Sequence, residues 1–205
     1  MEDNRCSKCD AEITPQEKTF SLKNYGEPLC RPHQDTAIRK SNGLSNRQER
    51  YEEGMIKGRI AEALIEELFL SLNYNVFRYG MENTVPAARD LLKGVRTDVA
   101  HSIRCMPDFI VQHPSNKEVF FIEVKFRKEE KFSASDLPKD YPYKNCYFIV
   151  VSKKHIKCIT YSELMEGKVV SPTSQNYLGY RKEFELDKET IIQFCGFAVK
   201  FFSEV

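Results

Sequence analysis

The stretch "VFFIEVKF", Val119 to Phe126, limits the fold more than any other part of the chain. Side chains alternate along a strand, so Val119, Phe121, Glu123 and Lys125 share one face and Phe120, Ile122, Val124 and Phe126 the other. Both faces are apolar up to Glu123, the pattern of a central strand buried on both sides. A carboxylate and an ammonium at the end of such a strand need partners, because an unpaired buried charge costs several kcal/mol.

The preceding apolar segment, "PDFIVQ", is joined to this strand by the turn-forming "HPSNK", so the two are expected to pair as a hairpin with Asp108 at its head. Asp108 and Glu123 would then repel each other. A divalent cation resolves the conflict: two carboxylates, a backbone carbonyl such as that of Val124, and waters make the hard oxygen shell that Mg2+ favours, with Mn2+ as a substitute. Such an ion binds a phosphate oxygen, activates water and neutralises a leaving oxygen. Lys125 would stabilise the extra charge of the transition state or help deprotonate the water. Hydrolysis of a phosphodiester is the expected chemistry. The structural alternative is a buried Glu123–Lys125 ion pair with Asp108 as a turn residue.

Upstream, a helix is expected from about Asn46 to Asn73. Ile60, Ala61, Leu64, Ile65, Leu68, Phe69 and Leu72 fall on one of its faces. At about 100° per residue, Glu62 lies at the edge of that face, able to reach over a sheet, while Glu66 points toward water. "YNVFRYG" reads as a strand. The stretch "MENTVPAARDLLKGVRTDVAHSIR" is polar, with one helical turn around Ala88 to Leu92. "KNCYFIVVS" and "IKCITY" read as further strands. The chain closes in a helix capped by Asp187, with Ile191, Ile192, Cys195, Val199 and Phe202 facing inward. Helix, mixed strands and helix make an α/β fold.

The first 38 residues are different in kind. "CSKC" and "CRPH" place Cys6 with Cys9 and Cys30 with His33, and 20 residues separate the pairs. Each spacing bends two ligands onto one ion, and a short hairpin in between, turning near Tyr25 and Gly26, would bring the pairs together around Zn2+. So small and polar a segment needs the metal's binding energy to fold, which makes the zinc structural. "RKSNGLSN", residues 39–46, reads as a linker to a second domain spanning 47–205.

Composition excludes several classes. Charged residues make up 30% of 205 residues but the net charge is only +1, so a polyanion must be met by a local patch. Lys57 and Arg59 on the helix, with Arg47 and Arg50 before them, and Arg127, Lys128 and Lys131 just past the charged strand, are candidates for nucleic-acid contacts. Seven cysteines form no even disulfide framework, no apolar run suffices to span a bilayer, and the start has no leader pattern. Free thiols at Cys105, Cys146, Cys158 and Cys195, and a cytoplasmic protein with no membrane partner, are expected. His101, His113 and His155 read as loop residues, with His101 near "CMPD" the only one close to a metal position.

The "PD", the 14 intervening residues and the "EVK" on an apolar strand resemble the PD-(D/E)xK nucleases, and "KGRIAEALIEELFLSLNYNVFRYG" is similar to that superfamily's first helix and following strand. The resemblance covers about half of the chain. It implies a restriction-endonuclease-like α/β/α core with a mixed central sheet, Asp108 and Glu123 as metal ligands, Lys125 as the catalytic lysine and Glu62 as the helix glutamate, with Glu82 as a rival for that position. It further implies a metal-dependent DNA endonuclease of restriction, repair or junction-resolving type, with RNA as another substrate. The layout also resembles the archaeal-type Holliday-junction resolvases, which act as dimers, so a homodimer is expected. The exonuclease branch's glutamine-plus-tyrosine helix has no counterpart in "SQNYLGY". The reading from another class is an inactive nucleic-acid-binding or protein-adaptor module on the same fold.

Overall fold

A computed structural model of the chain describes residues 4–37, 46–80 and 92–203. The chain divides into two compact units, residues 1–53 and 54–205. The expected linker at 39–45, the helical turn around Ala88 and the alternative acid Glu82 lie outside the described residues, as do the side chains of Arg47 and Arg50.

In the N-terminal unit, α1 (Pro15–Tyr25) stands where a hairpin was expected. The local chemistry explains the difference. Thr14 and Glu17 form a reciprocal capping box, Pro15 takes the first helical position, and Gly26 closes the helix in the left-handed conformation at φ 76°. The chain does turn at Gly26, as the end of a helix and not as the tip of a hairpin. A second helix, α2 (Arg31–Thr36), begins directly after Cys30. Among the described residues Cys6, Ile13, Tyr25 and Leu29 form the buried core of this unit.

The second unit is built on a five-stranded mixed sheet in the order β1 (Asn75–Arg78), β2 (Phe109–Gln112), β3 (Val119–Phe126), β4 (Cys146–Val151) and β5 (Ile156–Thr160). All neighbours run antiparallel except β3 and β4, which are parallel. β3 is therefore the middle strand, but only one of its faces is fully buried: Phe120, Ile122 and Val124 are buried, whereas Val119 is exposed and Phe121, Glu123 and Lys125 are half-buried, which corrects the expectation of burial on both sides. Phe120, Ile122 and Val124 enter the core formed with α3 (Asn46–Ser71) and the C-terminal helix, and Phe121 packs on the opposite side with Cys146, Phe148 and Val150 of β4.

α3 buries Ala61, Leu64, Ile65, Leu68 and Phe69 in that first core. Glu66 is not a solvated residue; its carboxylate holds Arg78 from two sides, with Nε to Oε1 at 2.9 Å. In the polar stretch before β2, α4 (Asp98–Arg104) forms under a Thr97 cap. After β5 come α5 (Tyr161–Met165) and two short 3-10 turns, then α6 (Lys188–Ser203) with Asp187 accepting from the Thr190 amide. α6 buries Ile191, Phe194, Ala198 and Phe202, whereas Ile192 and Val199 are 61% and 42% exposed. The expected inward face is thus corrected at Ile192 and Val199: Ile191 and Phe202 are buried and Cys195 packs against the core as expected, and the face is completed by Phe194 and Ala198.

One buried polar cluster ties the segment after β3 to the β4–β5 turn. Glu130 accepts from Ser152 Oγ at 2.8 Å, stands 2.9 Å from His155 Nδ1 and 3.1 Å from the ammonium of the fully buried Lys157. Lys157 also donates to the Ser171 carbonyl at 2.6 Å. These contacts supply the hydrogen-bond and ion-pair partners that so deeply buried a lysine side chain needs.

Candidate functional site: an acid and lysine cleft, and a thiolate and imidazole cluster

Asp108 sits between three strands. Its carbonyl accepts from the amides of Tyr79 and Gly80, just past β1, at 2.9 and 3.3 Å, and its carboxylate accepts from the Val124 amide in β3 at 2.7 Å. The side chain therefore lies beside the "EVK" segment, with Glu123 and Lys125 on either side of the residue it binds. Lys125 donates to Glu123 Oε1, and the two side chains are 33% and 13% exposed.

Glu62, Asp108, Glu123, Val124 and Lys125 line one cleft of about 550 Å³. The four side chains singled out as catalytic and the residue singled out for its carbonyl are brought together from α3, the head of β2 and β3. Arg59 lines the same cleft; Lys57 does not. Lys57 is only 8% exposed and its ammonium lies 6.0 Å from the centre of the Phe126 ring, so it is packed inside rather than presented to a ligand. Arg127 is half-buried against Phe132 and 3.9 Å from Asp136, and Lys128 is exposed.

The electrostatics of the cleft follow from burial and crowding. Burial first, then the charge of Glu123 and that of Glu62, hold the Asp108 carboxyl well above its ordinary range, against the opposing pull of Lys125 and the Val124 amide. For Lys125, burial pushes the ammonium down, but Glu123 and Asp108 outweigh it and hold its pKa above the ordinary lysine value. Lys125 is thus a firmly charged group. Near Glu123, the Cys105, Tyr141 and Cys146 side chains are all raised, by burial first and by the Glu123 charge among the further causes.

Sequence reasoning missed Arg78 and Arg104, which also line the cleft, and the two helical glycines Gly54 and Gly58. Arg104 sits in the polar stretch that gave no periodic signal; its only mark was its place four residues before Asp108. His101 lies on α4 rather than in a loop, with its ring nitrogens 3.8 and 3.9 Å from Cys105 Sγ and Nε2 3.2 Å from the Asp140 carbonyl oxygen. His113 is buried and accepts from the Ser115 and Asn116 amides.

In the N-terminal unit, one ligand atom each from Cys6, Cys9, Cys30 and His33 lies within 4.8 Å of the others. Cys9 Sγ is 3.6 Å from Cys30 Sγ, and His33 Nδ1 is 3.6 Å from Cys6 Sγ and 3.2 Å from Cys30 Sγ. Thiolates bound to one tetrahedral zinc at about 2.3 Å stand roughly 3.8 Å apart, so these spacings are those of a site able to hold a structural zinc. Burial pushes the Cys6 thiol up, but the amides of Cys30, Lys8 and Cys9 outweigh it and bring it down to about 6, so this sulfur is a thiolate at neutral pH. Among the described residues no helix is long and apolar enough to cross a membrane.

No family model, curated protein or solved structure matches the chain.

Proposed function

We propose that the cleft is the active site of a metal-dependent endonuclease that hydrolyses phosphodiester bonds in DNA, on a restriction-endonuclease-like core. The observation that carries this reading is the convergence of Glu62, Asp108, Glu123 and Lys125 on one cleft, from positions 63 residues apart in sequence between first and last (125 − 62). The mixed sheet with the acid-bearing strand at its centre supports it. Substrate and fold family follow from the sequence resemblance, as does a homodimer; RNA is the second substrate class.

The residues suit a hard cation. Burial and the charge of Glu123 raise the cost of ionising Asp108, and a Mg2+ or Mn2+ ion held by these two carboxylates, with the Val124 carbonyl and Glu62 beside them, would relieve it. Such an ion supplies an acidified water and neutralises the leaving oxygen. The chain's own residues do the rest. Before a cation binds, Glu123 and Asp108 hold Lys125 above the ordinary lysine value, and its part is to donate to the scissile phosphate and stabilise added negative charge. The Val124 amide fixes one oxygen of Asp108, orienting the carboxylate before substrate arrives. Arg59 in the cleft and the exposed Lys128 past β3 meet neighbouring phosphates.

The test is cleavage of plasmid, linear duplex, single-stranded and four-way-junction DNA, with Mg2+ or Mn2+, by wild type and Asp108→Ala. Metal-dependent cutting that the variant loses establishes the nuclease, and the preferred substrate narrows its role. Binding without cutting by the wild type on every substrate replaces the reading with the nucleic-acid or protein adaptor.

A further inference from the structure

Gly54 and Gly58 pose a question that the packing of this chain leaves open. Both lie inside α3, where glycine is a poorer helix former than alanine. Such a loss is commonly offset by a neighbour that needs the space. Here a methyl group at either position would meet no atom within 4 Å among the described residues. Neither backbone is in the left-handed region that favours glycine.

What the two positions share is the cleft. Gly54, Gly58 and Glu62 are spaced by four residues, so they lie in one row along α3, covering about 12 Å, and all three line the acid and lysine cleft. Arg59 follows Gly58 and is exposed, and Arg104 lines the same space and is exposed too. Among the described residues the row is thus an uncovered strip of helix backbone, with cationic side chains at the cleft and an acid at one end.

Resting on the nuclease reading, we infer that this strip is the track of the substrate: the sugar-phosphate backbone of the nucleic-acid strand runs against α3 over Gly54 and Gly58, and Arg59 and Arg104 meet phosphates beside the one cut next to Glu62. The glycines are there because a side chain would occupy the strand's place. Bulk at these positions acts on binding, and the reacting groups stay where they are.

Substitution gives opposite signs for stability and affinity. Gly54→Ala and Gly58→Ala each raise the melting temperature by roughly 2–4 °C, from helix propensity alone. Both weaken binding of a short fluorescein-labelled DNA strand and its duplex, followed by anisotropy in calcium buffer. Gly58→Leu weakens binding by at least about tenfold and raises KM, with kcat within about threefold of wild type. Lower melting temperatures for both alanine variants would mean that the glycines serve internal packing, and would overturn the track. So would wild-type binding and KM in the alanine variants and Gly58→Leu, while cleavage by the wild type left the nuclease standing. A wild type that neither binds nor cuts either DNA removes the nuclease reading itself.

Discussion

Asp108 commits one carboxylate oxygen to the amide of Val124, 2.7 Å away and between the two charged residues of β3. Asparagine keeps an oxygen for that amide but loses the charge a cation needs. Asp108→Asn should therefore melt within a few degrees of wild type and lose metal-dependent cleavage by more than about 100-fold. Thermal melting and a plasmid-nicking assay on the same samples check both halves; retained nicking would rule out Asp108 as a metal ligand.

The Glu123 and Lys125 pair predicts a non-additive response. Removing one partner of a buried pair leaves the other charge without its compensation, at about 3–5 kcal/mol when burial is complete. Lys125 is one-third exposed, so Lys125→Met should cost less, roughly 1–3 kcal/mol. Adding Glu123→Gln should recover part of that loss, although neither variant is expected to cut DNA. Urea denaturation reads the cycle, and a double variant no more stable than Lys125→Met would contradict it.

Zinc should be the organiser of the N-terminal unit. Elemental analysis is expected to give one zinc per chain, lost on Cys30→Ser. Chelation should strip hydrogen-exchange protection from the α1 and α2 amides, because the small core of this unit cannot hold it folded alone. Zinc affinity should fall as the pH drops through the neutral range, because Cys30, held above the ordinary thiol value, must give up its proton to bind, and should fall more steeply below about 6, where Cys6 takes one up as well. Amide protection unchanged by chelation would show that the metal is not what folds the unit.

A further pH dependence comes from Glu130. Burial alone would raise its pKa, but Ser152, Lys157 and His155 outweigh it and hold the group below the ordinary value of 4.5. A depressed folded pKa contributes stability that is present above the ordinary value and lost as pH falls through the folded one. Glu130→Gln should thus be clearly less stable than wild type at neutral pH, since Lys157 loses its counter-charge. The gap should stay flat down to about pH 5 and close below 4.5. Denaturant midpoints across that range decide; a gap of constant width would show that Glu130 is not the titrating group.

Period-two alternation located β3 and its charged face because the physical cause, a middle strand with one face in the core and the other half-covered, leaves a direct imprint on the residues. The hairpin to β2 was equally readable from its turn residues. α1 was not, since "PQEKTFSLKNY" buries only Ser21 and Tyr25 and has almost no apolar stripe; its signal was the Thr14-to-Glu17 cap. On α6, apolar residues surround much of the helix, so periodicity alone could not choose between Ile192 and Phe194. The site's acids were found from charge placed where apolar residues belonged. Arg104 and the glycines were not, because an arginine in a polar stretch and a glycine on a helix face acquire meaning only from what they stand beside.

Three of the four converging charged residues, Asp108, Glu123 and Lys125, belong to one hairpin of neighbouring strands. Hairpins of this kind close in about 1–10 μs, well before distant segments of a chain find each other. The acids and the lysine thus meet as soon as β2 and β3 zip together, while the parallel partner β4 and the docking of Glu62 on α3 must await slower, longer-range encounters. The like charges are consequently forced together early, during the interval in which water still reaches them and their repulsion is weakest.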